Sequence, residues 1–420
     1  MSSRTFCRAS IPLAFALLAA TVSLRAQSPI ISEAGIGPTV EETGTEDPFP
    51  SPRFGSKVAI CGRIAMVSIP GDLATEPNEF GRVAVFEKTN TEWIRTATLI
   101  GTPEAGGIFG SRIDIEGNRA VIGGPKAIYL FERRKSGWVQ TAKVVLTSAD
   151  TFFGKDIDLH HGEIFASTLH QNGDMAVRQV NVYAHIQSGT LSRTAFIRPR
   201  SGLDDGGFGA SLHADGEFLV VGAPSDIGPG AAYVYSRSAS HWFRAERLMA
   251  SDATADDAFG ASVAIRDGVI VVGAPRADLG LPEEGTGSLR GNVYVFRPAP
   301  YGWYESQKIN EPWMEYPHVG VGQNVSMGRG LLALFQNDNR FLIRNTQRAL
   351  VYDWVDGSFQ YGRQIIGNED GLVPDIDMAG RTLIASTQVL PGGVGYYYVQ
   401  GAAGIFEFGP DEPAAVTAPE

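Results

Sequence analysis

Cysteine is almost absent from this chain: its 420 residues hold two, Cys7 and Cys61. Basic residues are short too, with 35 Lys and Arg against 46 Asp and Glu, for a formal net charge of −11. Histidine is sparse, at seven, and no apolar run of about twenty residues follows the N-terminal region. Each shortage excludes something. The acidic balance argues against nucleic acid and against an anionic membrane surface, since both need a basic face. The missing apolar run excludes a membrane-spanning helix beyond the N-terminus. No Gly-x-Ser-x-Gly and no His-Glu-x-x-His occurs, so the chain lacks the common signatures of a serine nucleophile and of a zinc hydrolase.

The first 26 residues read as a secretory signal: Arg4 and Arg8, an apolar run from Ile11 to Val22, then small residues to Ala26. Cys7 precedes the apolar run, so it is not a lipoprotein cysteine. Cleavage near Ala26 removes three arginines and no acid, taking the net charge from −11 to about −14. Only Cys61 then remains, no intrachain disulfide can form, and stability must come from packing. Residues 27–53 are poor in apolar side chains and read as a linker, within which 28–33 are a candidate closing strand. Residues 409–420 read as a disordered tail. The expected location is secreted, periplasmic or at the cell surface.

Glycine is abundant, at 50 residues, and it recurs in register. The clearest unit starts at Phe259-Gly260. Its first apolar run centres on Val263 and Ile265, and its second runs from Val269 to Val272. Both are strand-length and rich in β-branched residues. Asp267-Gly268 between them is a hairpin turn, because that pair supplies positive φ angles. Gly273-Ala274-Pro275 ends the second strand, since Pro cannot donate to a ladder. Asn292–Phe296 and Trp303–Ile309 complete four antiparallel strands, A to D. One sheet this small cannot bury its own faces and must stack on similar units.

Similar units begin at Phe54-Gly55, Phe109-Gly110, Phe153-Gly154 and Phe208-Gly209, with weaker ones near Val321 and Val373. That makes about seven copies, spaced as propeller repeats are. Phe-Gly, a strand pair, Gly-Ala-Pro and an aromatic strand together resemble the FG-GAP repeat of integrin α-subunit propellers, and more nearly a short bacterial form with a trailing Trp strand. The resemblance implies an all-β, seven-bladed propeller over residues 54–408. Blade seven is expected to use Val373–Ala379, Thr382–Ser386, Tyr396–Val399 and Ile405–Phe408.

Antiparallel alternation puts A–B and C–D turns on one face, and B–C loops and D–A connections on the other. The second face collects acids. Its B–C loops carry Asp72, Glu76, Glu79, Asp226, Asp278, Glu283 and Glu284; its D–A connections carry Glu104, Asp150, Asp204, Asp205, Asp252, Asp256 and Asp257. In the resembled propellers this face binds the partner. The expected site is therefore the acidic face, with Asp72, Glu76, Glu79, Asp204, Asp205, Asp226, Asp256, Asp257, Asp278, Glu283 and Glu284 as its binding residues. For each one taken singly, turn formation is the plainer role.

Many FG-GAP repeats hold calcium in an Asp-rich A–B loop, which must supply six to eight oxygens. That loop is missing here. Asp156-Ile-Asp158 and Asp375-Ile-Asp377 each place two acids on one strand face, too few ligands for calcium. No metal and no cofactor is expected. Cys61 reads as buried rather than reactive. His160-His161 sits at a hairpin turn, and His213 faces the channel from strand A. Trp93, Trp138, Trp242 and Trp303 share one phase of the repeat and read as structural. No catalytic residue is assigned. The reading is a monomeric, non-enzymatic binding or adhesion propeller for an extracellular protein or glycan. A channel-centred hydrolase or lyase, and a structural module of an envelope assembly, are the alternatives.

Overall fold

The computed structural model describes residues 30–32 and, from 54 to 408, all but 71–79, 91, 105–107, 147–149, 173–174, 187–189, 200–205, 225–227, 239–240, 278–290, 311–319, 339–345, 367–370, 373–374 and 390–399. Residues 1–26, read above as signal, the linker 27–53 apart from 30–32, and the tail from 409 lie outside them. Among the described residues every regular element is a strand, and the strands form seven antiparallel sheets.

Six sheets are consecutive four-strand meanders. Their innermost strands, A, are Val58–Cys61, Arg112–Glu116, Asp150–His160, Leu212–Asp215, Ser262–Arg266 and Val325–Gly328. The seventh is Ile376–Ala379, extended on the same side of its sheet by Gly371–Leu372. Each strand A touches the strands A of both flanking blades, the seventh touching the first. The result is a closed, seven-bladed propeller.

Blade seven departs from the sequence reading. Its third strand is Gln400–Glu407, so Ile405–Phe408 is not a fourth strand, and Tyr396–Val399 lies outside the described residues. The outermost place is taken by Ile30–Ser32, antiparallel to strand C with Ile31 opposite Ala403. A strand edge left at the last blade would present unpaired backbone groups to other chains, and the chain start covers it.

The core is divided among the joints. Each of seven buried apolar clusters draws on two successive blades, and the Phe54 cluster joins blade one to Ile384, Ala403 and Ile405 of blade seven. The repeated motif builds these joints. Phe54, Phe109, Phe208 and Phe259 are buried at the entrance of their blades, with Val321 in the same role in blade six. Phe259 meets Tyr294 and Phe296 of its own strand C and packs with Val220 and Val234 of the preceding blade.

The two motif glycines meet across a joint. A Cβ on Gly273 would lie 2.0 Å from the Gly322 carbonyl oxygen, and one on Gly222 would lie 2.0 Å from that of Gly260. Trp242 stands edge-on to Phe165 of the preceding blade at 5.4 Å, and Trp303 to Phe218 at 5.1 Å. These rings cover joints, as their common phase implied.

The two faces differ in chain length. All seven A–B turns leave two residues between strand ends, whereas strand B to strand C runs from Pro70 to Gly81 in blade one and from Ala274 to Asn292 in blade five; blades two and three are the exceptions, with three and two residues there. In the A–B turn of blade five, Asp267 and Gly268 have φ of 50° and 78°, as the Asp-Gly pair predicted.

Candidate functional site

Two sites come from the geometry: the central channel and the face with the longer connections. The channel holds a cavity of about 180 Å³ lined by all seven strands A, by the start of six of them and by Asp156–Asp158 of the longer third. It therefore lies toward the face of the B–C and D–A connections. Alternation along a strand sends every second residue inward, so the walls form layers. The outer layer includes Lys57, Arg112, Asp156, Ser211, Asn324 and Asp375; the next includes Asp114, Asp158, His213, Ser326 and Asp377.

Innermost strands splay around the hub and do not pair with one another as a sheet, so their backbone N–H groups need other acceptors. The inward acids supply them, each reaching the next blade. Asp114 Oδ2 accepts from Leu159 N at 2.6 Å, Asp156 Oδ2 from Leu212 N at 2.8 Å and Asp158 Oδ2 from Ala214 N at 3.2 Å. His213 Nδ1 accepts from Ile265 N at 3.2 Å. The series closes the ring: Asp375 Oδ2 accepts from Val58 N at 3.0 Å and Asp377 Oδ2 from Ile60 N at 2.8 Å. Lys57 Nζ also meets Asp375 Oδ1 at 2.9 Å.

Enclosure dominates the electrostatics here. Burial, then the neighbouring Asp377 charge, pushes Asp114 up to about 7 against two backbone hydrogen bonds. Burial likewise lifts Asp377 to about 6, opposed by the Ile60, Met378 and Ser326 donors. Asp158 is raised by burial and by Asp114 and Asp156. Asp156 is raised by burial, moderated by the Leu212 hydrogen bond, Lys57 and Arg112. His213 is lowered to about 4, chiefly by burial, and is neutral at pH 7. The channel is thus a polar pocket whose acids hold the blades together, and enclosure lifts Asp114, Asp156, Asp158 and Asp377 above the ordinary carboxylate range.

On the other candidate site the structure is selective. Asp72, Glu76, Glu79, Asp204, Asp205, Asp226, Asp278, Glu283 and Glu284 lie outside the described residues. Asp256 is exposed, at φ 70°. Asp257 is buried: its Oδ2 accepts from Thr254 N at 2.7 Å and its Oδ1 from the Thr254 hydroxyl. Asp252 pairs with Lys308 and accepts from the Tyr294 hydroxyl, and Glu104 pairs with Lys143. Of the two expected binding residues described, one faces solvent and one builds a turn.

Cys61 is half-buried; its Sγ accepts from Gly117 N at 3.3 Å, and burial raises its pKa. Sequence reasoning noticed Asp158, Asp375 and Asp377 only as too few for calcium, took Asp156 also as a channel-facing polar residue, and passed over Asp114. The available signal was an acid three or five residues after the Phe-Gly position, pointing inward in several blades.

Residues 242–296 match the family model of the FG-GAP repeat. No curated protein matches the chain. Two crystal structures of Sqt1 from Chaetomium thermophilum superpose on it. One is 13% identical with a TM-score of 0.48, covering 86% of this chain and 97% of that one. The other is 12% identical with a TM-score of 0.49, covering 84% and 94%. Likeness at that level carries no argument about function.

Proposed function

We propose that this protein, a seven-bladed β-propeller carrying the FG-GAP repeat, is a non-enzymatic binding module that works outside the cytoplasm and takes its partner on the face of the B–C and D–A connections. One observation carries the reading: every A–B turn is two residues long, whereas in five of the seven blades strand B and strand C are seven or more residues apart. A rigid frame with long loops on one side is the usual arrangement of a recognition surface. The acids on those loops favour a basic protein surface or a glycan that acids can hydrogen-bond. The reading also takes residues 1–26 as a secretory signal.

The test is binding to a printed array of basic peptides and glycans. Alanine replacement of Asp72, Glu76, Glu79, Asp278, Glu283 and Glu284 together should remove the signals that the wild-type protein gives. Unchanged signals would reject the acidic face.

Catalysis in the channel is the second reading, favoured by the cluster of raised carboxylates there, since such groups gather at functional sites. Against it, the inward Asp114, Asp156, Asp158, Asp375 and Asp377 each already hold a backbone N–H of the next blade. Replacing Asp158 by Asn in a protein with measured hydrolase or lyase activity would decide for or against it.

A further inference from the structure

The A–B turn of blade three is the only one among the seven with a histidine at each of its first two places, His160 ending strand A and His161 following it. Neighbouring side chains on a strand point to opposite sides. Here His161 has φ 50° and Gly162 φ 74°, a left-handed turn that folds the second imidazole over the first. The two rings stack with centroids 4.0 Å apart and planes 27° apart.

Glu116 reaches the same point from blade two, where it ends strand A. Its Oε1 accepts from His161 N at 2.8 Å and its Oε2 from Gly162 N at 3.0 Å. Those bonds fix the carboxylate and leave each oxygen a lone pair. Glu116 Oε1 lies 3.8 Å from His160 Nδ1. One nitrogen from each ring and one Glu116 oxygen all lie within 4.8 Å of one another. His160 Nε2 is enclosed and makes no hydrogen bond of ordinary geometry, with the Gly216 backbone of blade four against the ring. Arg119, whose guanidinium passes over Gly162, is itself paired with Glu132.

We propose that Glu116, His160 and His161 form a divalent transition-metal site joining blades two and three, with water in the remaining position. Two imidazoles and one carboxylate suit zinc and its neighbours, and they are the wrong donors for calcium, which takes oxygen. The site lies on the face of the A–B turns, away from the loops proposed to bind the partner, and it stands or falls independently of that reading. A bound ion would tie two blades at their hub end and stabilise the folded ring.

The experiment is isothermal titration of the chelator-treated protein with zinc chloride, alongside cobalt(II) absorption and a calcium control. One zinc per chain, a rise in melting temperature and a cobalt spectrum with nitrogen ligands are expected, with no response to calcium. His161→Asn keeps a residue that tolerates the left-handed turn, and Glu116→Gln keeps the reach of the side chain. Each should weaken zinc binding at least tenfold; apo His161→Asn should melt near the wild-type temperature, whereas Glu116→Gln also gives up one of the two backbone N–H bonds that the carboxylate accepts and should melt lower. No zinc binding by the wild-type protein would overturn the proposal, as would equal binding by His161→Asn, or a calcium response matching that of zinc.

Discussion

Asp377 of the last blade accepts the backbone N–H of Ile60 in the first blade, at 2.8 Å. The two residues are separated by almost the whole propeller in sequence. With Asp375 and Val58 one layer above, this contact closes the ring at its hub, while Ile30–Ser32 closes it at the rim.

Asp377→Ala should therefore destabilise the protein out of proportion to the side chain's size. It leaves the Ile60 donor enclosed without a partner, which costs about 1–3 kcal/mol. Urea unfolding followed by tryptophan fluorescence measures it. A midpoint equal to that of the wild-type protein would show that the closure lies elsewhere.

The same residue predicts a pH dependence. Its folded pKa, about 6, lies above the ordinary carboxylate value of 3.8, so the folded state binds its proton more tightly than the unfolded chain does. The stabilisation from protonating Asp377 is full below about pH 4 and is lost as pH rises through about 6. Asp377→Asn is neutral at every pH. The stability of this variant relative to wild type should move in its favour by about 2 kcal/mol or more between pH 4 and 7, since loss of the Asp377 charge also relieves Asp114. A difference independent of pH would contradict the assignment. His213, lowered to about 4, acts in the opposite sense but is common to both proteins and cancels.

Gly273 tests the motif itself. Gly273→Ala drives a methyl group into the Gly322 carbonyl and the Ser262 hydroxyl, 2.0 and 2.4 Å away. Overpacking of that kind costs about 1–3 kcal/mol or more. Gly330→Ala is the control: φ is +67° and nothing lies within 4 Å, so only backbone strain of about 1 kcal/mol applies. Thermal melts of both variants should rank Gly273→Ala as the less stable.

Much of this architecture is legible in the chain because its joints are local in sequence. Phe259-Gly260, Asp267-Gly268 and Gly273-Ala274-Pro275 each mark one turn or one joint, and they recur. The outer strand of blade seven was legible only as the candidate closing strand at 28–33, which the structure pairs as Ile30–Ser32 with strand C; its partner was not, since the two come from opposite ends of the chain. The hub contacts were half legible. Asp156-Ile-Asp158 shows two inward acids, but their partners are N–H groups of Leu212 and Ala214, and a backbone donor has no sequence signature. The Glu116–His160–His161 cluster was hidden for a related reason, being assembled from two blades and a left-handed turn.

Removing Ile30–Ser32 gives a further prediction. A chain starting at residue 34 should melt lower than one starting at residue 27 and should self-associate, because strand C of blade seven becomes a free edge. Light scattering during a thermal ramp reads both effects. Identical behaviour would mean that the rim closure is dispensable.

The most direct test of the binding account is a hydrogen–deuterium exchange footprint taken with the peptide or glycan that scores highest on the array. The account predicts slowed exchange in the segments between strands B and C and between strands D and A, with the A–B turns unchanged. Protection confined to strand A residues lining the channel, around Asp114, Asp158 and Asp377, would contradict it and make the channel the working site.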